Sequence, residues 1–142
     1  MKQLSTILTL ALSAFATLHA AQTPQKLETE VTRKVSIGYQ LYLPEKYGAE
    51  KDKKWPVILF LHGAGERGEK LDKVTVHGPP KLVKNGQDLP FVIISPQCPK
   101  NQLWDNDALV VLLDHVLVNH RGDPARVYLT GLSMGGFGTF SL

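Results

Sequence analysis

Ser133 stands between two glycines, at minus two and plus two, in the run Thr130-Gly131-Leu132-Ser133-Met134-Gly135-Gly136. That spacing has the form of a nucleophile elbow, a sharp turn from a strand into a helix that presents a serine hydroxyl above the edge of a sheet. Gly131 and Gly135 supply the geometry, because a Cβ at either position would crowd a turn that holds Ser133 in a strained conformation. A serine placed there lies at a helix N-terminus, whose unpaired NH groups and positive dipole end favour an oxyanion. The Met134 NH is the natural first donor. The chemistry such a serine performs is acyl transfer.

Acyl transfer needs a second donor for the carbonyl oxygen that becomes negative in the tetrahedral intermediate. Phe60-Leu61-His62-Gly63-Ala64-Gly65-Glu66-Arg67-Gly68 follows an apolar segment and contains flexible backbone at His62-Gly63; the Ala64 NH is assigned as that donor. Glu66 and Arg67 either pair with each other or line the site, and Trp104 is a candidate wall of the acyl or alcohol pocket. Of the histidines, His62 reads as part of the oxyanion loop, His115 and His120 as surface or C-terminal residues of a helix, and His77 lies in the least regular segment. Asp105, Asp107 and Asp114 read as helix cap and surface charges. There is no HExxH, CxxC pair, P-loop or GxGxxG, so neither a metal nor a nucleotide or other cofactor is expected.

The elements that must position these residues are legible as patterns. From Glu30 to Leu43 the odd positions Val31, Val35, Ile37, Tyr39, Leu41 and Leu43 are apolar, the period of half-buried antiparallel strands, with Gly38 a bulge or turn and Arg33 an exception on the apolar face. Val57-Ile58-Leu59-Phe60-Leu61 and Phe91-Val92-Ile93-Ile94 are apolar without alternation, as in strands covered on both faces of a parallel sheet. Arg126 to Thr130 reads as a third, short buried strand. Leu109, Leu112, Leu113, Val116 and Leu117 form a helical stripe that Asp105, Asn106 or Asp107 can cap and that Gly122 and Pro124 end. Lys70 to Val76 suits a short helix, and Pro79-Pro80 opens another that ends near Gly86. Strand, crossover, strand, crossover, strand implies an α/β fold with right-handed parallel connections.

With 142 residues, 43% hydrophobic and 20% charged, the composition is that of one globular domain. The net charge of +3 is small, and the densest basic run, Lys51-Asp52-Lys53-Lys54, contains an acid, so no nucleic-acid partner is expected. Residues 1–20 differ from the rest. Lys2, an apolar run from Leu4 to Leu18 and small residues thereafter have the layout of a cleaved secretory signal, too short for a comfortable membrane span, leaving a mature chain that is secreted or periplasmic without a membrane anchor. Cys98 is the only cysteine and therefore forms no internal disulfide; it is either a buried apolar residue or half of a bridge to another chain.

Taken together, the strand ending in His62-Gly63-Ala64-Gly65-Glu66-Arg67-Gly68, then Ser95-Pro96-Gln97-Cys98-Pro99, Trp104 and Arg126 to Gly136 resemble the α/β hydrolase superfamily. The resemblance runs from about Val31 to the C-terminus and is strongest to its secreted dienelactone-hydrolase-like and feruloyl-esterase-like branch, often described as predicted peptidases or phospholipase/carboxylesterase-like proteins. It implies Ser133 as nucleophile, the Met134 and Ala64 backbones as oxyanion hole, and a small ester or carbohydrate-linked ester as substrate. Dienelactone hydrolases proper use cysteine at the elbow, so Ser133 implies an esterase or a peptidase relative. In this superfamily an acid and then a histidine follow the serine, but the residues after Ser133 contain neither. Residues 21–142 therefore read as the N-terminal part of a single domain, with antiparallel strands followed by a mostly parallel sheet and its crossover helices, truncated just after the elbow. An inactive relic or binding fragment is the alternative.

Overall fold

The structure is a computed structural model that describes residues 24–142; the expected signal sequence lies outside the described residues. The described residues divide into two units at Thr32, residues 24–32 and Arg33–Leu142. In the first, residues 24–32 carry no helix or strand. The second holds every regular element among the described residues.

Four strands, β1 (Tyr39–Tyr42), β2 (Trp55–Leu61), β3 (Val92–Pro96) and β4 (Gly122–Gly131), form one mixed sheet in the order β1-β3-β2-β4. β1 runs antiparallel to β3, with Leu41 opposite Ile94. β2 is parallel to both neighbours, Leu59 facing Ile94 on one side and Leu129 on the other. Because β2 has a partner on each edge and helices above and below, its side chains are apolar at every position, as the unalternating run requires. Two helices connect the parallel strands, α1 (Gly78–Lys84) between β2 and β3 and α2 (Asn106–Asn119) between β3 and β4, and a third, α3 (Met134–Ser141), follows β4.

The core lies on one face of the sheet. Val57, Leu59 and Leu61 of β2 and Val92 and Ile94 of β3 pack against Leu109, Leu112 and Val116 of α2, the stripe read from the sequence. α1 covers the opposite face: a Cβ on Gly78 would fall 2.4 Å from the Phe60 ring. α3 returns to the α2 side, since a Cβ on Gly138 would fall 2.9 Å from Leu61 Cδ1 and Asn106 Nδ2 donates to Ser141 O at 2.7 Å. The loops leaving the adjacent parallel strands β2 and β4 thus turn to opposite faces. Such a point opens a crevice beyond the strand ends, where ligands bind in open α/β sheets.

Several sequence expectations are corrected here. The period-two burial persists from Lys34 to Leu41, with odd positions partly buried and even ones exposed, but only Tyr39–Tyr42 pair as a strand, and Val31 is exposed. Arg33 does not sit on an apolar face; it forms an ion pair with Asp105 at 2.8 Å, and that carboxylate, the N-cap of α2, accepts from Ala108 N. The third strand is neither short nor buried. β4 runs for 10 residues, and because only β2 pairs with it, Tyr128 remains 51% exposed. Nor does Gly122 end the helix. His120 caps it, Arg121 takes the left-handed turn at φ 48°, and Gly122 begins β4, where a Cβ would strike Leu117 and Val57.

Candidate active site

Ser133 caps α3 with φ 52° and ψ −114°, one of three non-glycine residues with positive φ among those described. For a side chain this is a costly conformation, of order 1–3 kcal/mol, held only when the surroundings fix it. Here they do. A Cβ on Gly131 would lie 2.3 Å from the Gly135 carbonyl group, and one on Gly135 would lie 1.8 Å from Leu61 O. Turn and strand end therefore touch backbone to backbone, and Leu132 N donates to that same Leu61 O at 3.0 Å. The side chain of Ser133 makes no capping bond, so its hydroxyl is not consumed by the helix it starts.

The loop after β2 meets this turn. The Cβ direction of Gly63 points 3.7 Å from Ser133 Cβ and 3.5 Å from Leu132 O. Among the described residues, neither Met134 N nor Ala64 N donates a hydrogen bond, so both are free to serve an incoming oxygen. Met134 is the first residue of α3 and Ala64 the first of a single 3-10 turn, Ala64–Glu66. Both belong to the orphan donors that every helical start leaves unpaired.

His62 holds the loop. It is 1% exposed; its Nε2 accepts from Cys98 N at 3.0 Å, so the neutral ring carries its proton on Nδ1, which donates to Gly63 O at 2.7 Å. A trans peptide points its C=O and N–H in opposite directions. Fixing Gly63 O on the imidazole therefore turns the Ala64 N–H away from it. Burial holds His62 below the ordinary imidazole pKa and keeps it neutral. With both nitrogens engaged, His62 has no lone pair left for proton abstraction.

A cleft of about 620 Å³ opens beside the serine, lined by Ala64, Arg67, Trp104, Ser133, Met134 and Phe137 among others. Trp104 stands edge-on to His62, ring centroids 4.8 Å apart, and Gly138 leaves room for its indole. Glu66 and Arg67 do not pair with each other. Glu66 approaches Gly63, and its carboxylate lies 3.5 Å from His77 Nε2, while Arg67 Nε and Nη1 donate to Ala64 O and Gln102 O. His115 on α2 and His120 at its C-cap stand edge-on to each other, outside this cleft. No described histidine nitrogen hydrogen-bonds Ser133. Cys98 is buried and unbridged, and burial pushes its thiol pKa up, away from the thiolate form.

Sequence reasoning missed Gln97, which is 6% exposed and whose Nε2 donates to Glu66 O and Lys70 O, pinning the loop behind Ala64. Gln97 directly follows β3 in Ser95-Pro96-Gln97-Cys98-Pro99, a pattern that does not mark it as a loop anchor. Phe137, one helical turn beyond Ser133, and Leu103 beside Trp104 were also missed as lining residues.

No model of a protein family matches the chain. Over 122 residues it is 30% identical to feruloyl esterase B of Thermothelomyces thermophilus, a match covering 75% of this chain and 39% of that protein. Its fold matches the crystal structure of a thermostable esterase with TM-score 0.57 and 31% identity, covering 72% of this chain and 32% of that one. The chain is similar to esterases. Its four-stranded mixed sheet with flanking helices is of α/β-hydrolase type, and it spans 39% and 32% of the length of these two relatives.

Proposed function

We propose that this chain carries the nucleophile and oxyanion hole of a secreted serine hydrolase of carboxylesterase type. The observation that carries the reading is the strained backbone of Ser133, set on a glycine-flanked strand-to-helix turn with two unpaired NH groups on neighbouring loops. Ser133 Oγ attacks the ester carbonyl carbon while a general base takes its proton, and the carbonyl π pair moves onto oxygen. Met134 N–H and Ala64 N–H donate to that oxyanion. Donors of this kind are each worth about 10²–10³ in rate. Collapse of the intermediate expels the alcohol, which takes the proton from the base, and leaves an acyl-Ser133 that water hydrolyses by the same steps.

The base and its carboxylate partner come, in this reading, from sequence beyond this stretch. Two things support that: every described histidine is engaged elsewhere or lies off the cleft, and the chain spans 39% of feruloyl esterase B. Residues 1–20 support export by a cleaved signal, and no described helix is long and apolar enough to cross a membrane. The substrate is a small or carbohydrate-linked ester, in line with the esterase relatives. In the intact enzyme a fluorophosphonate is expected to label Ser133, and Ser133→Ala to lose both label and ester turnover. Undiminished turnover in that variant would overturn the mechanism.

A further inference from the structure

A second cleft, about 630 Å³, adjoins the serine cleft and shares Ala64 and Arg67 with it. Its walls carry Arg67, Lys70, Lys73 and Lys100 against a single acid, Glu69. Among the described residues none of these four cations is in an ion pair, although Lys26, Arg33, Lys53 and Arg126 elsewhere on the chain all are. Four unneutralised cations around one concavity raise the local concentration of anions. The wall is also built. Arg67 is held by the Ala64 and Gln102 carbonyls through Nε and Nη1, which leaves Nη2 without a partner, and Gly68 N donates to Cys98 O at 3.0 Å. The buried Gln97 amide fixes the carbonyls of Glu66 and Lys70 on either side. A guanidinium already oriented by its other donors loses little freedom when it binds an oxyanion.

We propose that this basic cleft binds a carboxylate on the same molecule as the scissile ester, so that the preferred substrates are hemiesters of dicarboxylic acids or esters carried on acidic sugars. The proposal rests on the ester-hydrolysis reading for the orientation of the substrate: the carbonyl sits on Ala64 N–H and the free carboxylate lies beyond Arg67, a few bonds away.

The test separates the two. Monomethyl adipate and dimethyl adipate are titrated by calorimetry into the chain carrying Ser133→Ala, which cannot turn them over. The monoanion is expected to bind about tenfold more tightly than the diester at low salt, the strength of one or two charge-assisted hydrogen bonds. That preference vanishes at 1 M salt, where the screening length falls to about 3 Å. Lys70→Ala, Lys73→Ala and Lys100→Ala combined bring the two ligands to parity; these side chains are exposed, so the variant folds. Arg67→Gln does the same, while Lys51→Ala, before β2 at the far end of the sheet, leaves the ratio unchanged. Equal affinities, or a preference that survives the triple variant, would overturn the subsite. Labelling of Ser133 by a neutral fluorophosphonate reports on the nucleophile independently. With the labelling done on the intact enzyme, which supplies the base, a labelled serine without anion preference refutes the subsite alone, and anion preference without labelling refutes the nucleophile alone.

Discussion

Gly135 and Gly136 are adjacent in α3, and replacing each by alanine should move stability in opposite directions. Alanine is favoured over glycine in a helix by about 1 kcal/mol. At Gly136 the nearest atom to a new Cβ is Gly131 O at 3.8 Å, an ordinary contact, so Gly136→Ala keeps that gain. At Gly135 the Cβ would lie 1.8 Å from Leu61 O, 2.5 Å from Leu61 C and 2.9 Å from His62 O, all backbone atoms of a central strand and its loop. A carbon normally approaches a carbonyl oxygen no closer than about 3.3 Å. Helix and strand end must therefore separate by more than an ångström, at an overpacking cost of about 3 kcal/mol or more. The net expectation is a loss of about 2 kcal/mol for Gly135→Ala, a gain of up to about 1 for Gly136→Ala, and a gap near 3 between them. Urea unfolding followed by tryptophan fluorescence and circular dichroism reads that gap from the midpoints, provided the m-value is unchanged. If the two variants differ by less than about 0.5 kcal/mol, the close packing of turn against strand is refuted.

The remaining expectations concern the same neighbourhood. Ser133→Gly relieves the positive φ and should raise stability by about 1 kcal/mol, whereas Ser133→Ala, which keeps a Cβ, should not; equal effects would contradict the strain. Burial depresses the pKa of His62 in the folded state, so as pH falls through the ordinary imidazole value the unfolded chain takes up a proton that the native chain does not. Stability should accordingly be full above about pH 6.5 and decline below it. His62→Gln should flatten that decline between pH 7.5 and 5.5, and an unchanged slope would remove His62 as its source. Cys98, buried and with a raised thiol pKa, should react with a disulfide reagent only on unfolding; fast native labelling would place it at the surface. Phe140 is 94% exposed, so Phe140→Lys should shift stability by less than about 0.5 kcal/mol while reducing self-association in light scattering.

Much of the scaffold could be read in the sequence because local pattern and tertiary role coincide there. β2 is apolar at every position for the reason the fold exhibits, cover on both faces, and the stripe of α2 is the face it buries. The turn at Ser133 was legible because backbone contact permits only glycine at two positions, leaving a signature that no neighbouring side chain could blur. What stayed hidden depends on partners distant in sequence. Arg33 looked misplaced among apolar neighbours until Asp105, 72 residues on, supplied its counter-charge. β4 looked buried because its side chains suit a strand, yet burial is set by neighbours in the sheet, and β2 is the only described one. Glu66 turned to His77 instead of Arg67 because the guanidinium is taken by carbonyls of its own loop and of Gln102. Gln97 escaped notice because its donors act on backbone, which carries no sequence signature.

The Leu61 carbonyl, at the tip of β2, receives Leu132 N and stands against Gly135. One oxygen thereby serves as the common datum from which both halves of the cleft are measured, although they lie some seventy positions apart along the chain. Errors in the intervening helices and in β3 do not accumulate into the gap between hydroxyl and amide donors, since that gap is gauged locally. For anyone transplanting this serine turn into another sheet, the indivisible cassette is therefore the turn together with the strand tip beneath it.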